Sequence, residues 1–396
     1  MRSSNFRVYF AGQLVSISGT WMQNLAQGFL IFNLTKSNAW LGLVACAAGV
    51  PVILLSPIAG VIVERIPRRR LLLFTQTAQM VLAFVLAALT FANLVLVWHI
   101  MLLAFLLGAT TAVDLPARQT FVVEMVGSED LPSGIALNSV LNSAARVLGP
   151  TAAGFALVQF GPAWCFLLNG LSFLAVLVSL FFMDVPYAIK HIKQSASALQ
   201  QLKDGLQFSY RHLTIGPLLL LTVITGFFII PIIQFLPALA DVVLHSPKTG
   251  YAILSTGEGF GSVIAGITIG WLALRFGYGR IVSISVILCA ITSAILALQS
   301  NLVLATIFSV LSGVFMIYQF TGQNIMLQGL VPDQFRGRVM ALYTLAIVGA
   351  NPFGSLLLGF LANQIGTANG VCVYMLIGGL LSTAIMVRWP AFTQEQ

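Results

Sequence analysis

Four ionisable side chains stand inside long apolar stretches of this chain and could do chemistry there: Asp114, Arg118, Arg146 and Glu258. An ionised group is costly to place in apolar surroundings, so each of the four is expected to be paired or functional. Asp114 and Arg118 are four residues apart, which on a helix puts both side chains on one face, where they can pair. A buried carboxylate can bind a proton when a cationic partner withdraws, so Glu258 is the candidate for proton transfer.

The composition indicates what kind of protein holds these groups. Hydrophobic residues make up 58% of the 396 residues, charged residues make up 8%, and the mean hydropathy is +0.96. So few charges would not keep a soluble chain in solution, so we predict a membrane protein with about twelve helices of about 20 apolar residues each. The net charge of +8 comes from Lys and Arg in short loops. That pattern indicates membrane topology and not nucleic-acid binding, with acidic-lipid contact as a secondary interpretation.

A short cationic loop between two apolar runs occurs twice, half a chain apart. The first copy reads Gly-Val-Ile-Val-Glu-Arg-Ile-Pro-Arg-Arg-Arg over residues 60–70, and the second places Gly270, Arg275 and Arg280 at the same relative positions. Each copy has the character of a cytoplasmic hairpin, and two copies predict a duplicated helical bundle. The predicted domains are an N-terminal six-helix bundle (1–184), a cytoplasmic linker (185–213) and a C-terminal six-helix bundle (214–396).

The first loop resembles the signature between helices two and three of the major facilitator superfamily, usually Gly-x-x-x-Asp-Arg-x-Gly-Arg-Arg. The matching residues are Gly60, Glu64, Arg65, Arg69 and Arg70. Glu64 replaces the usual Asp and keeps its charge, whereas Pro67 replaces the usual Gly and stiffens the turn. The second copy has Leu274 at the acidic position, so it lacks that charge.

Other stretches resemble one branch of the superfamily, the bacterial exporters that include the enterobactin exporter. These stretches are Asp-Leu-Pro-Ala-Arg-Gln at 114–119, the series Asn138, Asn142 and Arg146 before Gly149-Pro150, and segments 12–15 and 19–23. The resemblance covers essentially the whole chain. It implies an all-α membrane protein of the major facilitator fold, with twelve transmembrane helices in two six-helix bundles. It also implies export of a small molecule through a cavity that opens to each membrane face in turn.

The resemblance further implies a gate on the cytoplasmic side. In the superfamily, the acidic residue of the first loop contacts a helix-four arginine and the start of helix eleven when that side is closed. In this chain the corresponding elements are Glu64, Arg118 and the helix that contains Val339. The predicted gating residues are Gly60, Glu64, Arg65, Arg69, Arg70, Asp114 and Arg118.

Arg146 and Glu258 form the second candidate group. From the predicted spans, they lie roughly 18 Å and roughly 12 Å along their helices, near the membrane midplane. Helices five and eight meet between the halves in the superfamily, so we predict that these two residues pair there. Protonation of Glu258 would loosen the pair and couple protons to rocking of the halves. A static ion pair between the halves is the alternative, and both interpretations stay open.

Polar residues spaced three and four positions apart predict a polar, water-accessible face on three helices. The predicted cavity residues are Gln13, Thr20, Asn24 and Gln27 on helix one, Asn138 and Asn142 on helix five, and Gln319 and Gln323 on helix ten. Such a stripe faces either a cavity or another helix. Because helices one and ten line the cavity in the superfamily, we favour substrate contact.

The loops also predict topology. Nearly all Lys and Arg residues fall on one side of the predicted spans, which places both termini in the cytoplasm of a bacterial inner membrane. In the linker, Leu199, Leu202, Leu206 and Tyr210 recur at helical spacing, which is typical of an amphipathic helix on the membrane surface. A flexible linker is the alternative. Helix seven is predicted as one span, 214–244, with bends at its prolines.

The remaining residues favour transport over other functions. The four cysteines and four histidines are scattered, so we predict no metal, no cofactor and no catalytic site. We expect a monomeric secondary transporter that exports a small amphipathic or hydrophobic molecule, drug- or siderophore-like, by proton antiport, surrounded by membrane lipids. The alternatives are a transporter of lipid-type solutes such as a lysophospholipid, and a membrane sensor or scaffold that transports nothing.

Overall fold

The computed structural model describes residues 4–126, 131–183 and 198–389, and every regular element in these ranges is helical. The first six helices are α1 (Ser4–Thr35), α2 (Asn38–Arg65), α3 (Arg68–Phe91), α4 (Val97–Val126), α5 (Leu131–Gln159) and α6 (Pro162–Phe182). The linker contributes α7 (Ala198–Arg211). The later elements are α8 (Ile215–Ile224), a π-helical turn (Thr225–Ile229), α9 (Ile232–Val242), α10 (Thr249–Phe276), α11 (Tyr278–Leu298), α12 (Leu302–Leu330), α13 (Asp333–Ile365) and α14 (Thr367–Arg388).

Ten segments of the described residues are long and apolar enough to cross a membrane. They are α2, α3, α4, α6, the broken segment α8–α9, and α10 to α14. The helices α1 and α5 have 32 and 29 residues, which is also enough to span a bilayer, and α1 carries polar side chains along much of its length. The structure confirms the predicted all-α membrane protein and is compatible with twelve spans.

The chain divides into two compact units, Met1–Lys36 with Ala47–Lys193, and Ser37–Cys46 with Gln194–Gln396. In the first unit, α1 packs against α5 and α6, and α3 packs against α4 and α6. In the second unit, α8 and the π turn pack against α13 and α14, and α11 packs against α12 and α14. The same helix-packing scheme therefore occurs in both units, as a duplicated bundle requires. The domain boundaries 1–184, 185–213 and 214–396 stay a prediction.

The seventh predicted span, 214–244, is present as one candidate membrane segment, Ile215–Val242, and it is interrupted near one of the prolines that were expected to bend it. The π turn and Pro231 separate α8 from α9. Pro231 has no N–H to donate to the carbonyl of Phe227, four residues earlier, so this buried acceptor needs another donor. The Tyr374 hydroxyl supplies it at 2.7 Å, and the same hydroxyl lies 2.8 Å from the carbonyl oxygen of Gly354. The Tyr374 side chain of α14 thus stabilises the break.

The linker contains a helix, α7, as the sequence predicted, and small residues form the face that packs on α13. Gly205 and Ser209 are buried, and the Phe208 ring stacks on Phe335 of α13 with 4.3 Å between centroids. In contrast, Leu206 is 60% exposed and Tyr210 is 89% exposed. The small residues allow α7 to lie close to α13, and Leu206 and Tyr210 point away from this packed face. The side chains of Leu199 and Leu202 lie outside the described residues.

Candidate functional site

The best-defined polar cluster of the first unit surrounds Asp114, whose side chain is 1% exposed. Its Oδ1 accepts hydrogen bonds from the Thr75 hydroxyl at 2.7 Å and from Nε2 of Gln76 at 2.8 Å. Its Oδ2 accepts an ion-paired hydrogen bond from Arg118, one turn further along α4. The spacing of Asp114 and Arg118 predicted this pair, and the pair is present. The two donors from α3 were not predicted.

The cluster is closed on another side by α1. Tyr9 and Gln13 are both buried, and Nε2 of Gln13 donates to the Tyr9 hydroxyl at 2.9 Å. The edge of the Tyr9 ring meets Phe121 of α4, with centroids 5.5 Å apart. Packed aromatic groups limit access of water, and a low local dielectric makes a satisfied polar cluster rigid and an unsatisfied one costly. The cluster therefore fixes α4 to both α3 and α1.

The other predicted gating residues do not all join this cluster. Arg69 donates from Nε to the Leu180 carbonyl and from a terminal nitrogen to the Phe181 carbonyl, both at 2.7 Å. Those carbonyls end α6 and have no partner within their helix, so Arg69 acts as a cap for α6. Arg65, Arg70 and Gly60 are exposed. The side chain of Glu64 lies outside the described residues, so its contact with Arg118 stays a prediction.

Arg146 lies near the middle of α5, where its guanidinium stands 5.4 Å from the ring centroid of Trp21. It is 15 residues from the start of α5, which corresponds to about 22 Å along the helix. The ring face attracts the cation, and the contact holds the long side chain at this depth. Trp21 was not among the predicted site residues, although it lies in the segment 19–23 that resembles the exporters.

Glu258 is 8% exposed in the second unit and lies nine residues from the start of α10, about 14 Å along it. The backbone around it is held closely, because the Ser262 hydroxyl donates to its carbonyl oxygen at 3.0 Å and Gly313 of α12 packs against the same carbonyl. Glu258 and Arg146 belong to different units. Their predicted ion pair stays a prediction.

The predicted cavity residues fall into two environments. Gln319 and Gln323 are fully buried between α12 and the broken helix. Thr225 donates to Oε1 of Gln319 at 3.3 Å, and Thr222 donates to Oε1 of Gln323 at 3.1 Å. This is the helix–helix bonding that the sequence left as the alternative.

The rest of the predicted set lies on α1 and α5. Asn24 is exposed, Gln27 and Thr20 are half-buried, and the Thr20 hydroxyl donates to the carbonyl oxygen of Ser16. The side chains of Asn138 and Asn142 lie outside the described residues. A role in substrate contact stays a prediction for the whole set.

Replacing Gln323 with alanine is expected to lower the free energy of unfolding by about 1–3 kcal/mol, because the buried hydrogen bonds that its amide makes with Thr222 and Thr225 are lost. Asn24→Ala is the matched control: it removes an amide of similar size from an exposed position and is expected to leave stability unchanged. Denaturant unfolding of the purified variants measures both. Equal stability of the two variants would contradict the packing role.

The described residues hold no group of three His, Cys, Asp or Glu side chains that could bind a metal ion. The buried polar groups described above are instead hydrogen-bonded to one another between helices, and the buried carboxylate of Asp114 is paired with Arg118. Comparison with known proteins agrees with that arrangement: a family model described as transmembrane secretion effector, MFS_3, matches residues 1–395. The chain belongs to this family of the major facilitator superfamily. It is a multi-pass membrane transporter and not an enzyme.

Individual relatives and structures are similar over nearly the whole chain. The staphyloferrin A transporter of Staphylococcus aureus is 25% identical over 91% of this chain and 90% of its own length. The enterobactin exporter EntS of Shigella flexneri is 24% identical over 98% of this chain and 93% of its own. The crystal structure of the nucleoside transporter NupG covers 100% of both chains with a TM-score of 0.77 and 11% identity, a likeness that shows the fold alone.

Proposed function

We propose that this MFS_3 protein exports a small amphipathic or hydrophobic molecule, siderophore- or drug-like, across the bacterial inner membrane by alternating access and proton antiport. The observation that carries the proposal is the similarity to two siderophore transporters along at least 90% of each chain. A partial match could reflect one shared bundle, whereas a match of this extent includes both bundles and the linker. Alternating access requires both bundles.

Glu258 is the proposed proton carrier. It is a buried carboxylate about 14 Å from the start of a bilayer-spanning helix, and such residues mark ion and proton pathways. Arg146, held at a comparable depth on Trp21, is the proposed cationic partner. Proton binding by Glu258 would release Arg146, and proton loss would restore the ion pair. The movement of the bundles in each transport cycle would thereby be coupled to the transfer of a proton.

The cluster around Asp114 supports the proposed gate. Three donors hold one carboxylate, so α3 and α4 are expected to move together as one body. With both termini proposed to be cytoplasmic, this cluster would lie at the cytoplasmic end of the first bundle. A bundle can rock between two discrete states only if its helices move together, and the rigid packing of α3 on α4 would meet this requirement.

Glu258→Gln is expected to lower proton-driven transport by about 100-fold, because the amide cannot bind and release a proton. The measurement is uptake of a fluorescent lipophilic dye into inverted membrane vesicles, driven by an imposed pH gradient. Glu258→Asp, which keeps a titratable group, is the matched control and should retain gradient-driven uptake. Exchange of internal for external dye without a gradient should persist in Glu258→Gln.

Two results would contradict the coupling role. One is unchanged pH dependence of transport in Glu258→Gln, which would assign the residue to a static ion pair. The other is equal loss of driven transport and of exchange at normal membrane abundance, which would assign it to assembly of the cavity. Comparison of compounds exported by cells with and without the gene would then identify the substrate class.

A further inference from the structure

A concave apolar groove of about 630 Å³ lies within the second unit, between α7, α8 and α13. Among the side chains that line it are Leu206, Leu213, Leu220, Val223 and Leu345, all of which are at least 40% exposed. Grooves of this volume are of the size that holds a ligand. A concave apolar surface that the described residues of the unit leave uncovered is suited to an acyl chain.

A second, polar cavity of about 460 Å³ adjoins this groove, and the two share Arg211 and His212. Arg338 in the polar cavity is paired with Asp204 at 3.3 Å, so its charge is already balanced. Arg211 is exposed and makes no ion pair with any residue in the described ranges. The groove therefore provides an apolar end, and the adjoining cavity provides a positively charged end.

His212 adds a second donor at the junction of the two cavities. Its Nδ1 accepts hydrogen bonds from the backbone N–H groups of Thr214 at 3.3 Å and Ile215 at 3.4 Å. A neutral imidazole that accepts at Nδ1 carries its proton on Nε2. His212 can thus donate from Nε2 to an anion, and Arg211 supplies the charge.

Aromatic residues indicate the level at which the junction lies. Tyr210 is 89% exposed, and Trp389, next to Arg388, lines the apolar groove. Tyr and Trp beside basic residues are typical of the boundary between lipid headgroups and acyl chains. Both ends of the groove are thus matched to the chemistry of that boundary.

We propose that this groove, with the adjoining cationic cavity, binds one anionic membrane phospholipid, with its acyl chain along α8 and α13 and its phosphate at Arg211 and His212. The lipid is a resident of the bilayer and not the exported cargo. Charge complementarity selects the occupant, because anionic lipids are attracted to basic residues at the membrane surface. The placement of α7 at the cytoplasmic surface rests on the proposed topology.

The test uses Trp389 as a reporter, in the full chain reconstituted into phosphatidylcholine vesicles. Quenching by brominated phosphatidylglycerol is compared with quenching by brominated phosphatidylcholine, and subtraction of the Trp389→Phe signal isolates the reporter. We expect half-maximal quenching at a several-fold lower fraction of the anionic lipid. Arg211→Gln should abolish this preference, whereas Arg280→Gln, which removes another exposed arginine from the first turn of α11, should preserve it.

Groove-filling variants test the acyl-chain position. Val223→Phe, or Leu345→Phe if the first variant is unstable, should reduce quenching by both lipids. Equal quenching by the two lipids, equal effects of the Arg211 and Arg280 variants, or no quenching because another part of the chain covers the groove would each overturn the proposal. The assay needs no transport, so it remains informative if the protein exports none of the compounds tested.

Discussion

Asp114→Asn is expected to lower the free energy of unfolding by about 3–5 kcal/mol, the cost of breaking a buried ion pair from one side. The asparagine amide cannot accept all three hydrogen bonds that Thr75, Gln76 and Arg118 donate to the carboxylate. Arg118 would be left as a largely buried cation without its counter-ion. Denaturant unfolding in detergent measures the loss, and dye transport in vesicles should fall with it because α3 and α4 would no longer move as one body.

Two controls separate this effect from a general loss of charge. Asp204→Asn breaks the pair with Arg338, in which both side chains are about one-third exposed, and is expected to cost at most about 1 kcal/mol. The double variant Asp114→Asn with Arg118→Gln should recover part of the stability, because it removes both charges. Equal costs for Asp114→Asn and Asp204→Asn would contradict the buried-cluster interpretation.

Gly313→Leu is expected to cost at least about 3 kcal/mol and to abolish transport. The helices α10 and α12 approach each other through two reciprocal contacts, in which Gly313 packs on the Glu258 carbonyl and Gly261 packs on the Val310 carbonyl. A side chain at either glycine meets backbone that cannot move aside as a side chain can. The helices would separate, and Glu258 would be displaced together with its carbonyl group.

The matched control, Gly266, lies in the facing helix α10. A methyl group at Gly266 meets no other atom within 4 Å, so Gly266→Ala is expected to leave stability unchanged or raise it slightly. Membrane abundance, thermal unfolding and dye transport should be measured for both variants. Normal transport by Gly313→Leu would show that the close approach of α10 and α12 is not needed, and would weaken the assignment of Glu258 to the transport step.

The sequence predicted groups that depend on spacing along one helix better than groups that depend on several helices. The four-residue step from Asp114 to Arg118 was sufficient to predict their pair, because both positions lie on one face of α4 whatever surrounds it. Thr75 and Gln76 could not be predicted in the same way. They belong to another helix, and polar residues on a membrane helix give no direct signal of which neighbour they meet.

The broken segment α8–α9 shows the same difference between what the sequence and the structure reveal. Pro231 was expected to bend it, since proline removes a backbone donor wherever it occurs. That the break would take the form of a π turn, with Tyr374 as the donor to Phe227, depended on a residue more than a hundred positions away. Likewise, Gln319 and Gln323 lie on one face of α12, but only the position of Thr222 and Thr225 decided that this face meets a helix.

By itself, the amino-acid sequence determined that this is a duplicated, multi-pass membrane transporter of the major facilitator superfamily. It did so through composition, the two cationic loops and the resemblance of whole motifs. The tertiary structure alone decided which face of each helix meets which neighbour, including the face of α7 that packs on α13. The physical reason is that lipid chains are as apolar as a helix interface, so hydrophobic pattern does not orient membrane helices. Orientation is decided by small residues and hydrogen bonds between helices, which form only in the folded bundle.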